Sequence, residues 1–266
     1  MKIKKGGNLK SLIDWHLEEK LEIPEETIFD WTLDILKGLA RLHEEHIAHR
    51  DIKPPNLMIK NNRIKIGDLG IAISLNSIKR SDHPLKNAGT INYMAPEILG
   101  ELPKDDDKDP HEIVPKPAFD PANPFKYLKS DIWSLGCVLY EMSTLQKAFF
   151  GKKYPEVYEA VINGKVPELQ GNKYLRALVQ KMLIKSPDDR QDAKDLEKMV
   201  ENVIKYKCEA ERHVIDDLLQ INNKDLLNNG RFKKIQFLGK QSSVCVVEDK
   251  LEGNRRYFSF LGIFCR

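Results

Sequence analysis

The sequence predicts a mainly α protein with short β-hairpins, followed by a small β-rich tail at its C-terminal end. Three observations predict this class. Apolar residues recur at three-and-four spacing from Ile28 to Leu42, the mark of an amphipathic helix. Residues 131–142 are apolar nearly all round, as a fully buried helix is. Beyond residue 230, Phe232, Ile235, Phe237, Val244, Val246 and Val247 alternate or cluster as strand residues do.

Taken in order, residues 8–19 read as a short helix, with Asn8 as N-cap ahead of Leu9, Leu12, Ile13 and Leu17. A second helix is predicted from about Pro24, a good first-turn residue. Glu25 and Glu26 complement its dipole, and Ile28, Trp31, Ile35, Leu39 and Leu42 form its stripe. Leu57-Met58-Ile59 and Ile64-Lys65-Ile66 are strand-like runs around an Asn61-Asn62 turn. The buried helix is expected to begin at Asp131-Ile132-Trp133-Ser134-Leu135-Gly136, and further helices to cover about 155–163, 173–184 and 191–206. Residues 100–124 carry Asp105-Asp106-Asp107 and repeated prolines with little apolar periodicity, the composition of an exposed, mobile insertion. The expected organisation is a helical body over 1–205, a polar helix-like linker over 206–230 and the β-rich tail over 231–266.

Composition narrows the class. Hydrophobic residues make up 41% and charged residues 31% of 266, ordinary for a globular protein with a sizeable core. A formal net charge of +3 offers no basic field for nucleic acid or a membrane surface. No apolar stretch reaches the roughly 18 residues of a membrane span, and the basic amino terminus lacks an apolar signal core. Cys137, Cys208, Cys245 and Cys265 form no Cys-x-x-Cys pair, which favours a reducing compartment. A cytoplasmic or nuclear location is expected.

The chemistry is concentrated in His49-Arg50-Asp51-Ile52-Lys53-Pro54-Pro55-Asn56. Asp51 can accept a proton from an attacking hydroxyl, and Lys53 can neutralise charge on a phosphoryl group in flight. Asn56 can turn an amide oxygen toward a divalent metal. Asp68-Leu69-Gly70 follows Asp51 by 17 residues, at the end of a strand. A carboxylate there can bridge magnesium to nucleotide phosphates, while Gly70 lets the backbone turn. His43, His46 and His49 have a spacing that a metal could use, but they also suit a helix end, where cationic histidine complements the dipole. No His-Glu-x-x-His pattern exists.

The string His-Arg-Asp-x-Lys-x-x-Asn resembles the catalytic loop of eukaryotic protein kinases. Asp68-Leu69-Gly70, Gly89-Thr90-Ile91-Asn92-Tyr93-Met94-Ala95-Pro96-Glu97, the run from Asp131 and Arg190 then follow in that family's order. The resemblance covers residues 1–205 and is to the carboxy-terminal lobe. Lys53 and the run ending at Glu97 look like the serine/threonine branch. Asp68-Leu69-Gly70 and Asn163-Gly164-Lys165-Val166-Pro167 look similar to the NIMA-related group.

Carried over by position, the resemblance implies a protein kinase using ATP and Mg2+ on a protein substrate. Asp51 would be the base, Lys53 would sit at the transferred phosphoryl, and Asn56 and Asp68 would be metal ligands. Asn8 would lie at the ribose and Met58 under the adenine. Thr90 would stand beside the catalytic loop, with Ser77 and Ser81 as acceptors in the activation loop. His49, Arg50, Glu97, Asp131 and Arg190 would be structural, Glu97 and Arg190 as an ion pair. Arg50 in this family often clamps a phosphorylated residue, but Lys86 stands three positions before Gly89 and cannot serve.

The resemblance also sets an expectation of incompleteness. Met1 falls in the hinge, so a glycine-rich loop, a strand lysine and its helix glutamate are missing from their expected place. The tail, Phe237-Leu238-Gly239-Lys240-Gln241-Ser242-Ser243-Val244 onward, resembles a degenerate start of a second kinase small lobe, with Phe260 where the strand lysine would stand. The expected protein is therefore a truncated kinase, weak or inactive alone, with a partner supplying the small lobe. The competing reading is a non-catalytic interaction module.

Overall fold

The computed structural model describes residues 7–77, 90–99 and 124–220 and four strands beyond them, with side chains described for residues 7–76, 90–99 and 124–206. The chain divides into two compact units, Met1–Glu201 and Asn202–Arg266.

The first unit opens with strand β1 (Gly7–Asn8) and helix α1 (Leu9–Glu18). Asn8 is the N-cap, its side-chain oxygen accepting from Ser11 N–H at 3.0 Å, so one orphan donor of the first turn is satisfied. Helix α2 (Glu25–Glu44) buries Ile28, Trp31, Ile35 and Leu39. Pro24 is its N-cap rather than its first residue. The short strand β2 (Ile47–Ala48) precedes the catalytic loop, and β3 (Leu57–Lys60) and β4 (Arg63–Ile66) follow it. Asn61 and Asn62 join β3 to β4 with φ 52° and 58°, the left-handed pair that a two-residue hairpin requires. The turn is tied down where Trp31 Nε1–H donates to Asn62 O at 3.2 Å. β1 extends this hairpin into a three-stranded antiparallel sheet, and β2 pairs separately with β5 (Ile73–Ser74).

Helix α3 (Lys126–Thr144) is the core of the unit, with Ile132, Trp133, Leu135, Cys137, Val138 and Leu139 all buried. It starts five residues earlier than Asp131, because that aspartate turns its carboxylate to a distant loop instead of capping its own helix. Helices α4 (Tyr154–Ile162) and α5 (Lys173–Met182) complete the unit with the start of α6 (Ala193–Gln220). α5 packs so closely on α3 that a Cβ at Gly136 would lie 2.8 Å from Met182 Cβ. The helix expected to end near 206 continues to Gln220, since Lys, Glu and Ala favour helix there and neither glycine nor proline interrupts.

In the second unit β6 (Leu226–Leu227), β7 (Phe232–Phe237), β8 (Val244–Asp249) and β9 (Asn254–Ser259) form an antiparallel sheet in that order. The β7–β8 register shifts between Lys234 and Gln236, which makes Ile235 a bulge and breaks simple alternation there. No helix among the described residues is long and apolar enough to cross a membrane.

Candidate active site

The loop from His49 to Asn56 is held from beneath by α3. Asp131, 1% exposed, accepts from the backbone N–H groups of His49 and Arg50, both at 2.8 Å. His43 Nε2–H donates to the same carboxylate at 3.0 Å. His49 is fully buried; its Nε2–H donates to Gly67 O at 3.0 Å and its Nδ1 accepts from Asp51 N–H at 3.2 Å. Those two bonds put the ring proton on Nε2. Arg50 adopts φ 70°, a left-handed backbone that an arginine adopts only when its surroundings impose it. Its guanidinium lies 5.3 Å from the centre of the Tyr127 ring and donates to Ile71 O at 3.3 Å. Burial pulls its pKa below the ordinary value, with Tyr127 and Asp131 opposing.

On this platform the reactive groups converge. Asp51 Oδ2 accepts from Lys53 Nζ at 2.7 Å and from Asn56 Nδ2 at 2.8 Å. Asn56 Nδ2 also donates to Asp51 O at 2.8 Å, so its amide orientation is fixed and no described hydrogen bond engages its Oδ1. Lys53 Nζ donates onward to Thr90 Oγ1 at 3.1 Å. Four of the residues read from the sequence (Asp51, Lys53, Asn56 and Thr90) are therefore one hydrogen-bonded group.

Asp68 joins through the backbone. Gly67 N–H donates to Asn56 O at 2.8 Å. A Cβ on Gly67 would stand 3.3 Å from Met58 Cγ and 3.4 Å from Asn56 O, so glycine lets the Asp68 segment lie against both. Asp68 is exposed, has φ 59°, and accepts from Gly70 N–H at 3.2 Å through Oδ1. Met58, 46% exposed, points away from the buried Leu57 and Ile59 on the alternating face of β3. Asn8 pairs with it in register across β1 and β3. Ser77 ends a single 3-10 turn from Leu75, while Ser81, Lys86, Gly89 and the 100–123 stretch lie outside the described residues.

Glu97 and Arg190 form a two-pronged buried pair, at 2.6 Å and 3.1 Å. Arg190 also donates to the carbonyls of Lys129, Ile184 and Lys185 and lies 5.2 Å from the Trp133 ring centre. The three histidines go separate ways: His46 packs edge-on against Phe125 at 5.5 Å, away from the partners of His43 and His49. Among the described residues no group of three or more His, Cys, Asp or Glu side chains is arranged to hold a metal.

Sequence reasoning passed over Tyr93 and Glu141. Tyr93 O–H donates to Glu141 Oε2 at 2.6 Å, both side chains buried. Burial raises the Glu141 carboxyl above its ordinary value, against the lowering effect of the Tyr93 hydrogen bond and of Lys10 and Lys147. The signal was present: a lone glutamate inside the apolar run from Cys137 to Met142 must have a buried partner.

The site is a carboxylate braced by lysine and amide, with a second carboxylate a hairpin away on a helical body. In comparisons with known proteins, residues 1–219 match the model of the protein kinase domain. The chain belongs to the protein kinase family and is of the NIMA-related-like eukaryotic type. It is similar to mouse serine/threonine-protein kinase Nek11, 32% identical over 222 residues, which cover 80% of this chain and 32% of the relative. Mouse serine/threonine-protein kinase Nek4 is 33% identical over 177 residues, covering 65% of this chain and 19% of the relative. Caenorhabditis elegans serine/threonine-protein kinase nekl-2 is 30% identical over 207 residues, covering 74% of this chain and 50% of the relative. The chain thus spans half or less of the length of these relatives.

Proposed function

We propose that these residues form the hydroxyl-accepting and metal-holding side of a serine/threonine kinase, which moves the γ-phosphoryl of ATP to a protein hydroxyl. One observation carries the reading. Lys53 and Asn56 both engage Asp51 Oδ2, and no described hydrogen bond engages Oδ1. The carboxylate is thereby locked in one rotamer with an oxygen left to take the proton of an incoming serine or threonine. Lys53, held between Asp51 and Thr90, is placed to balance charge beside that oxygen.

The donor set fits magnesium. Asn56 Oδ1 and the Asp68 carboxylate are hard oxygen ligands, and this ion is commonly held by one or two such groups plus substrate phosphates. When bound, it would neutralise charge on the phosphates. Asn8 and the half-exposed Met58 offer a ribose contact and an apolar floor for adenine.

The test is nucleotide affinity of the full chain with and without magnesium, by calorimetry. Affinity is expected to be weak but to rise with magnesium, and Asp68→Ala to abolish the rise. Equal magnesium dependence in both proteins would refute the site. Where transfer to a protein substrate is measurable, Asp51→Asn is expected to lower it by about 10²–10⁴-fold.

A further inference from the structure

The buried pair of Tyr93 and Glu141 has no part in the phosphoryl-transfer reading, yet it lies one turn away from Thr90. A single 3-10 turn, Ile91–Tyr93, follows Thr90, and it closes where Tyr93 N–H donates to Thr90 O at 2.9 Å. Thr90 Oγ1 accepts from Lys53 Nζ at 3.1 Å, and the same Nζ reaches Asp51 Oδ2 at 2.7 Å. Where Thr90 stands therefore decides whether Lys53 keeps its second partner.

Helix α3 holds this turn from the other side. Tyr93 is 6% exposed; its O–H donates to Glu141 Oε2 and its carbonyl accepts from Ser134 Oγ, both at 2.6 Å. Ser134 and Glu141 are seven residues apart on α3, about two helical turns, so they lie on one face of the helix and Tyr93 spans them. Asn92, inside the turn, is fixed as well, since its Nδ2 donates to Phe149 O at 3.0 Å. Lys10, Lys147 and Asp14 act on Glu141 through charge, while the Tyr93 hydroxyl is hydrogen-bonded to it. The buried helix is thus joined to the lysine by one chain of contacts: Glu141, Tyr93, Thr90, Lys53.

We infer that Glu141 is a positioning residue for Lys53, holding the turn through Tyr93 at the place where Thr90 meets the lysine. The inference rests on the kinase reading for what Lys53 does, but its test reads the lysine itself and not turnover. The full chain is pulse-labelled with the N-hydroxysuccinimide ester of acetic acid, which acylates lysine amines, and each site is followed by peptide mass spectrometry. Lys185 is the internal control: it is half-buried in the same unit, and its Nζ donates to Ile162 O and Gly164 O, both at 2.7 Å. Thr90→Val removes the hydroxyl directly and is expected to speed acylation of Lys53 about two- to tenfold, the range of one net hydrogen bond. Glu141→Ala and Tyr93→Phe are expected to give a similar rise, to leave Lys185 unchanged, and to add nothing when combined with Thr90→Val. Glu141→Gln keeps an acceptor for the tyrosine and stays at the native rate.

Should Glu141→Ala not fold, Tyr93→Phe with Glu141→Leu removes both partners and leaves no polar group of the pair buried alone; the same rise at Lys53 is expected. A native rate at Lys53 in these variants would overturn the inference. So would a joint rise at Lys53 and Lys185, the mark of a unit loosened throughout, or a Thr90→Val chain in which Lys53 is no faster. Failure of the kinase reading shows elsewhere, as magnesium-dependent nucleotide affinity untouched by Asp68→Ala.

Discussion

Removing the Asp131 carboxylate is the severest single test of how the catalytic loop is held. Asp131→Ala strips the acceptor from the N–H groups of His49 and Arg50, each at 2.8 Å. His49 is fully buried, so water does not replace the lost partner. A hydrogen bond to a charged group contributes about 1.5–3 kcal/mol, which puts the pair at about 3–6 kcal/mol. The bond from His43 adds less, because that ring is partly exposed. Asp131→Asn keeps one acceptor oxygen but turns an NH2 toward the other N–H, for a cost of about 2–3 kcal/mol. Against a domain stability of roughly 5–15 kcal/mol, both variants lose a measurable share, the alanine variant more than the asparagine one. Urea unfolding followed by tryptophan fluorescence measures this cleanly. The three tryptophans, Trp15, Trp31 and Trp133, all lie in the first unit, so the signal reports that unit alone. A cost below about 1 kcal/mol for Asp131→Ala would mean the loop does not hang from this carboxylate.

Two further outcomes follow from packing and burial. Gly136→Ala would press a methyl to 2.8 Å from Met182 Cβ and Leu183 Cδ2; separating α3 and α5 is expected to cost about 1–3 kcal/mol, and an unchanged urea midpoint would contradict the close approach. Glu141 gives a pH dependence. Because burial raises its carboxyl in the folded chain above the ordinary 4.5, folding takes up a proton between those two values, and its contribution to stability falls as pH rises through that window. Glu141→Gln keeps an acceptor for the Tyr93 hydroxyl and removes the titration. The stability of Glu141→Gln relative to the native chain should therefore rise with pH above 4.5 and then level off; a difference that is flat or falls with pH would show that burial does not raise this group.

Local chemistry was legible and long-range pairing was not. Asn8 as a cap and Asn61-Asn62 as a turn depend on neighbours within three residues, and both stand as read. The reactive group was legible for a related reason: Asp51, Lys53 and Asn56 fall within one loop, so chain spacing nearly determines their contact. The sequence places the start of the buried helix at Asp131 because the apolar run starts there, yet the partners of that carboxylate lie 81 and 82 residues away. Periodicity carries no record of such a pairing. The same holds for His43, for Tyr93 with Glu141, and for Asn92 with Lys147, separated by 88, 48 and 55 residues.

These pairings explain why the reactive group keeps its shape on a body that is mostly helix. Loops are ordinarily the mobile part of a fold, and this one carries Asp51, the base of the proposed reaction. Here its backbone is bonded to a side chain of the most deeply buried helix, while the Gly67 carbonyl anchors the His49 ring and Gly67 N–H meets the Asn56 carbonyl. The strained φ of Arg50 and of Asp68 is sustained by those fixed points, since each left-handed residue sits beside one of them. The catalytic loop thereby inherits the rigidity of the core. The hydrogen bonds that fix this loop all lie within the first unit.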